Sequence, residues 1–257
     1  MRRLRSSPIA AGASGPVPFG DSPTDALRRS EHLYGQVYEI LWNKIISGEI
    51  VPRQRMSDIE WAKRLEVSRT PVREAMRKLE QDGVLEPLAR GGYEVRAVRV
   101  GDLKRLYHCR AVLEGLAMLD AATRITQADA KALTGLVERT EKLIARKDFE
   151  AALRSNTEFH DRIVAFSDNG YLQHLLETLR RLILFSRSAL MNAVRSNPDA
   201  QPVYAGHLLE TQKDHRLILQ RLLAQDGEGA AAIMRRHLFH TAEDMERVFQ
   251  GASSEAP

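Results

Sequence analysis

The sequence predicts a mainly α fold in two parts: a small unit of three short helices and a β-hairpin, then an all-α antiparallel helical bundle. Three observations carry this. Apolar residues recur at helical spacing through most of the chain after Leu33. The exception is a hairpin-like stretch: Val84, Leu85 and Leu88, the turn Arg90-Gly91-Gly92, then Tyr93, Val95 and Ala97 at alternate positions. The length, 257 residues, suits two ordinary domains better than one.

The elements follow in order. Residues 1–30 are rich in Gly, Pro, Ser and Arg without periodicity and read as a disordered tail. Tyr34, Val37, Tyr38, Leu41 and Ile45 then mark a helix that Gly48 and Pro52 end. Ser57-Asp58-Ile59-Glu60 has the form of a capping box and opens a second helix bearing Trp61, Ala62 and Leu65. Ser68 is placed to cap a third, with Pro71 in its first turn and Val72, Ala75, Met76 and Leu79 on one face. Gly83 ends it, and the hairpin follows. Beyond Asp102 six helices are expected, near 102–123, 126–146, 148–167, 170–195, 203–225 and 228–249. The breaks fall at Thr126, Lys147-Asp148, Asp168-Asn169-Gly170, Asn197-Pro198 and Asp226-Gly227. The domain reading is thus 1–30, 31–99 and 102–250.

Composition limits the function classes. Apolar residues make up 43% and charged residues 28%, as in a globular protein with a real core. The net charge is +4, with 16 Lys/Arg against 13 Asp/Glu in residues 1–98 and 22 against 21 in the rest. A case for nucleic acid must therefore rest on how the arginines are arranged. The single cysteine, Cys109, excludes an intrachain disulfide and a Cys-built zinc cage. No apolar run is long enough to span a membrane, and no apolar segment follows Arg2, Arg3 and Arg5 as in a secretory signal, so the expected location is cytoplasmic.

Three short helices and a hairpin match a winged helix-turn-helix, whose third helix reads DNA. Arg69 and Arg73 share a face near that helix's N-terminus, opposite the apolar face. Arginine's planar fork can donate two bonds to guanine O6 and N7. Ser68 and Thr70 can donate to phosphates, as can the backbone amides of the helix start. Gly91-Gly92 lets the wing tip approach DNA without a Cβ in the way. Two arginines on a helix can equally be solvated surface charges; the agreement of cap, spacing and hairpin favours the DNA-reading alternative.

The run Val67-Ser68-Arg69-Thr70-Pro71-Val72-Arg73-Glu74-Ala75 resembles the recognition segment of the GntR family of bacterial transcription regulators, over about residues 33–98. The resemblance implies that Arg69, Arg73 and the wing glycine Gly92 face DNA. Family members commonly carry a glycine before the Val-Ser pair, where this chain has Glu66. A left-handed Glu66 would be mildly strained, and its carboxylate would weaken non-specific DNA binding.

Histidines organise the second half. Asn156 and His160 lie four apart on one face. His215 shares a face with Leu208, Thr211, Leu219 and Leu222, and His237 with Ile233, Met234, Thr241 and Met245. Three helices thus bring imidazoles toward the bundle interior, where facing helices build metal sites. Neutral imidazole suits Zn²⁺ or Ni²⁺. Three separately hydrogen-bonded core histidines fit the spacing as well, and His240 competes with His237. His32, His108, His174 and His207 read as surface or boundary residues.

Residues 102–249 resemble the FCD ligand-binding domain that follows one branch of GntR winged helices. The matching elements are Arg110-x-x-x-Glu114, Asn156-x-x-x-His160, Asp214-His215 with Ile218, and His237-Leu238. The resemblance implies a divalent metal on Asn156, His160, His215 and His237, with Asn in place of the commoner Asp weakening it. It also implies that Arg110 points into an effector pocket; a salt bridge to Glu114 is the alternative. The expected protein is a homodimeric regulator, a repressor by family default, that binds a double-stranded DNA operator and answers to a small organic acid. Two alternatives remain: a regulator that senses the metal itself, and a metal-dependent hydrolase. The hydrolase lacks an HExxH motif, and Glu158 lies off the Asn156–His160 face.

Overall fold

A computed structural model describes residues 23–196 and 199–253. The winged unit comprises α1 (Pro23–Ile46), β1 (Arg55–Met56), α2 (Asp58–Leu65), α3 (Arg69–Gln81), β2 (Leu85–Pro87) and β3 (Tyr93–Val95). The bundle comprises α4 (Val100–Ala122), α5 (Gln127–Ala145), α6 (Phe149–Ala165), α7 (Gly170–Ser196), α8 (Ala200–Leu223) and α9 (Gly227–Ser253). The mainly α reading and the six bundle helices agree with the sequence expectation to within a few residues at each end. The expected break at Asn197-Pro198 lies outside the described residues, as does the expected tail from 1 to 22.

Four expectations need correction. Helix α1 starts at Pro23, so residues 23–30 are helical rather than tail. The Gly- and Pro-rich composition ends there, and a first-turn proline suits a helix start. Ser57 does sit at the N-cap of α2, but its side chain makes no capping bond. Glu60 reaches down the helix to Arg64 instead, at 2.6 Å. Ser68 likewise caps α3 only by position. Finally, the wing is a three-stranded sheet in the order β1-β3-β2, not a hairpin alone. Two residues, Arg55 and Met56, pair with Glu94 and Tyr93, too short a run to show alternation.

A full capping box does occur at the start of α5, where Thr126 accepts from the Asp129 backbone and Asp129 reaches back. Asp148 caps α6 by accepting from the Ala151 amide at 3.1 Å. Glu66 ends α2 at φ 55°, ψ 37°, the left-handed conformation expected of it.

Two cores form. The winged core holds Leu41, Trp61, Val72, Met76, Leu79 and Val95. The bundle core surrounds α4, which packs on α6, α7, α8 and α9. Small residues let α9 approach α4 closely. A Cβ on Gly227 would lie 3.2 Å from the Leu119 Cα, and one on Gly115 would lie 2.9 Å from the Arg235 side chain.

The two units are joined by α7. Phe185, although on a bundle helix, belongs to the winged core. Arg181 donates to the Tyr38 hydroxyl and lies 3.6 Å from Asp82. Gly83, at φ +73°, leaves room for Leu182, whose Cδ2 would be 3.0 Å from an added Cβ.

Candidate DNA interface and effector site

Helix α3 buries Pro71, Val72, Ala75, Met76 and Leu79 and exposes Ser68, Arg69, Thr70 and Arg73 at its N-terminal end. No acidic residue occupies its first turn, so the positive end of the helix dipole is uncompensated within the helix. Arg69 is held by Asp58 of α2, through Nε at 3.3 Å and Nη2 at 3.0 Å. That contact orients the guanidinium and leaves Nη1 free of it. Arg73 makes no ion pair among the described residues. In the wing, Gly91 and Gly92 have φ of +85° and +80°, conformations that glycine adopts without strain. Gly92 has a second constraint within the fold: an added Cβ would sit 3.0 Å from the Met56 carbonyl oxygen.

In the bundle, α6, α8 and α9 bring His160, His215 and His237 together, with ligating atoms all within 4.8 Å of one another. All three are buried. His240 is exposed, which separates it from His237. Each Nδ1 faces an oxygen: His160 meets Glu114 Oε2 at 2.6 Å, His215 meets Gln212 Oε1 at 3.4 Å, and His237 lies 3.5 Å from Asp214 Oδ2. His237 Nδ1 makes no hydrogen bond among the described residues, and Asp214 acts on it as a neighbouring charge. With protons on Nδ1, the Nε2 lone pairs face inward. His160 Nε2 is buried without a partner. His215 Nε2 and His237 Nε2 stand 3.3 Å apart, where two lone pairs repel unless a proton or metal ion lies between them. Burial pushes the His160 and His215 pKa values well below the usual imidazole range, and nearby positive charge adds to the effect. Burial also lowers that of His237, against the opposing charge of Asp214. Neutral imidazoles, two of them with an oxygen acceptor at Nδ1 and the third beside a carboxylate, are a fit donor set for a divalent metal.

Asn156 is buried beside this cluster and accepts from Gln212 Nε2 at 3.4 Å. Glu114 does more than the sequence suggested. Its Oε1 accepts from Arg110 Nε at 2.5 Å while its Oε2 takes His160. Arg110 is therefore salt-bridged, and it also lines a cavity of about 270 Å³. Of the two alternatives raised for Arg110, the salt bridge to Glu114 is present.

That cavity lies between α4, α6 and α7 and is bounded by Arg110, Glu114, Thr157, Asp161, Ile183 and Arg187, among others. The imidazoles do not line it; Glu114 connects the two. Thr157, Asp161, Arg180 and Leu184 also line a second cleft, of about 710 Å³, shared with Asn43 and Ile46 of α1 and with Ser47 just after it. Sequence reasoning missed Arg187, which is buried and donates to the Tyr107 hydroxyl at 2.6 Å. It also misplaced His207, which is buried and pairs with Asp244 at 2.7 Å. No spacing signal distinguishes Arg187 from the other arginines of α7.

Residues 33–95 match the family of bacterial regulatory proteins named gntR, and residues 105–240 match the FCD domain. The uncharacterised HTH-type transcriptional regulator YdhC of Bacillus subtilis is 34% identical over 224 residues, 84% of this chain and 92% of its own. The HTH-type transcriptional repressor RspR of Escherichia coli is 24% identical, over 84% of this chain and 90% of its own. Among solved structures, Escherichia coli McbR/YncC has a TM-score of 0.65 at 22% identity, covering 84% of this chain and 97% of that one. A GntR regulator from Rhodococcus sp. RHA1, with a TM-score of 0.63 at 23% identity, covers 85% and 97%. These two likenesses support the fold.

Proposed function

The chain belongs to the GntR family of transcriptional regulators, in the branch carrying an FCD domain, and on that premise we propose a repressor whose operator affinity a small organic acid controls from the bundle cavity. Transcription control, rather than catalysis, is the work of its relatives as named. The observation that carries the effector reading is the chain Arg110–Glu114–His160, which ties a cavity wall to the histidine cluster. Arg110 Nε is taken by Glu114, and its terminal nitrogens make no hydrogen bond among the described residues. They suit a carboxylate, which an arginine fork binds through two parallel bonds.

His160, His215 and His237, with Asn156, would hold a divalent ion, Zn²⁺ or Ni²⁺ by donor chemistry. Such an ion would supply a Lewis-acidic centre open to an oxygen ligand. Glu114, bonded to His160 Nδ1, would orient that imidazole toward the ion, and it balances the charge of Arg110. Ser68, Arg69, Thr70, Arg73 and Gly92 form the proposed DNA-facing surface in the cytoplasm.

Helix α7 links the two functions. Arg180, Ile183, Leu184 and Arg187 face the cavity, whereas Arg181, Leu182 and Phe185 engage the winged unit. An acid that favours one position of α7 biases the placement of α3. The coupling is bounded by the acid's differential affinity for the two arrangements, typically about 1–3 kcal/mol. A homodimer completes the reading, because two-fold symmetry lets two reading helices reach half-sites about 34 Å apart. Val112 and Leu116, exposed one turn apart on α4, offer apolar surface for it.

The test is operator binding followed by fluorescence anisotropy with metal-loaded and metal-stripped protein, titrated with a panel of organic acids. Affinity should shift with an acid. A shift with metal alone, and none with any acid, would instead identify a metal sensor. Sizing with and without operator should give twice the 29.0 kDa chain mass; a monomer in both would refute the dimer.

A further inference from the structure

The geometry points to a second anion-binding position in this cavity, centred on Arg187, and hence to a short dicarboxylate as the effector. This rests on the reading above that an acid enters the cavity, and it specifies how many charges that acid carries.

Three arginines line the cavity. Arg110 has Glu114 at 2.5 Å, and Arg180 has Asp161 at 3.2 Å and Glu177 at 3.3 Å. Arg187 has no carboxylate within 4 Å among the described residues. Its bonds go to neutral oxygens, from Nε to the Tyr107 hydroxyl at 2.6 Å and from Nη1 to Thr157 Oγ1 at 3.4 Å. Yet it is the more deeply buried of the two interior arginines, at 3% exposure against 6% for Arg110. A guanidinium cannot shed its proton to escape burial, and a buried charge without a counter-ion is strongly unfavourable. Tyr107 and Thr157 orient the group without neutralising it. The missing negative charge is what an incoming anion would supply.

The positions of Arg110 and Arg187 set an upper limit on the length of the ligand. Both guanidinium carbons lie over the Tyr107 ring, at 5.6 Å for Arg110 and 5.3 Å for Arg187. They are therefore no farther apart than those distances laid end to end. A short chain with a carboxylate at each end fits within that limit. The apolar wall formed by Leu176, Leu179 and Ile183 suits its methylenes.

The experiment is calorimetry on the full-length, metal-loaded protein with malonate, succinate, malate and glutarate, each beside its monoamide. The monoamides keep size and shape but remove one charge. At least one diacid should bind about tenfold or more tightly than its monoamide, the scale of one charge-assisted hydrogen-bonding group. In Arg187→Met that preference should vanish while monoanion binding persists. The ligand-free Arg187→Met protein should melt at or above the wild-type temperature, since a buried uncompensated charge has been removed. Equal binding of diacid and monoamide by the wild type would overturn the inference and leave the organic-acid reading standing. A preference unchanged in Arg187→Met, or a variant melting several degrees lower without it, would show Arg187 to be a structural prop. Failure of every diacid and every monoamide to bind would remove the organic-acid reading and this inference with it.

Discussion

Phe185 and Arg187 stand two residues apart on α7 and serve different domains: Phe185 is buried in the core of the winged unit, and Arg187 walls the cavity of the bundle. Successive side chains on a helix point about 100° apart, so one rigid element carries both surfaces. A shift of α7 by a ligand at Arg187 therefore reaches the packing of Leu79, Val84 and Val95 without any intervening loop. Arg96 adds to this contact, with its guanidinium 6.0 Å from the Phe185 ring centre.

Phe185→Ala should cost about 3–5 kcal/mol of winged-unit stability, the usual range for a buried phenylalanine. It should also blunt the response of operator affinity to an effector. Denaturation followed by Trp42 and Trp61 fluorescence reports the first, because both tryptophans lie in that unit. A loss below about 1 kcal/mol would mean that the α7 contact adds little to the winged core.

Arg69→Ala and Arg73→Ala should each lose about 1–3 kcal/mol of operator affinity with the fold intact, since both side chains are exposed. Arg69 has a second dependence. Asp58 orients it, so Asp58→Ala should weaken operator binding in the same direction but by less. An effect smaller than about twofold for either arginine would place the reading face elsewhere.

His215→Ala should abolish divalent-metal binding, read by elemental analysis of purified protein, and leave the winged unit folded. Glu114→Gln is the finer test. It keeps the shape beside His160 but removes the carboxylate, and loss of such a partner typically lowers metal affinity about 10–100-fold. Chelator competition measures this. Unchanged metal affinity in Glu114→Gln would mean that the orientation of His160 is set by packing alone.

Glu66→Gly should stabilise the winged unit by about 0.5–1 kcal/mol. A left-handed conformation costs a non-glycine residue roughly 1–2 kcal/mol, and the greater freedom of unfolded glycine returns part of that. Glu66 is exposed at φ 55° and makes no ion pair among the described residues that the change would break. Denaturation midpoints check this. A destabilised variant would show that the carboxylate has a role beyond its strained backbone.

The sequence alone determined the helices of the bundle and their order, but not strand β1 or the first turns of α1. Helical and alternating periodicity located the bundle helices and the wing hairpin, and one contiguous run, Val67 to Ala75, carried the family resemblance. These are local properties, in which each residue's face follows from its neighbours three or four positions away. It placed His160, His215 and His237 on inward faces, yet left open whether they meet. Only the tertiary structure brought Glu114 to His160 across 46 positions and Arg187 to Tyr107 across 80. Only there did Phe185 leave the bundle for the other core, and His207 turn inward to Asp244. The reason is physical: periodicity reports which side of a helix is buried, but not which element covers it. A buried charge is defined by its partner, and that partner is fixed by the packing of whole helices.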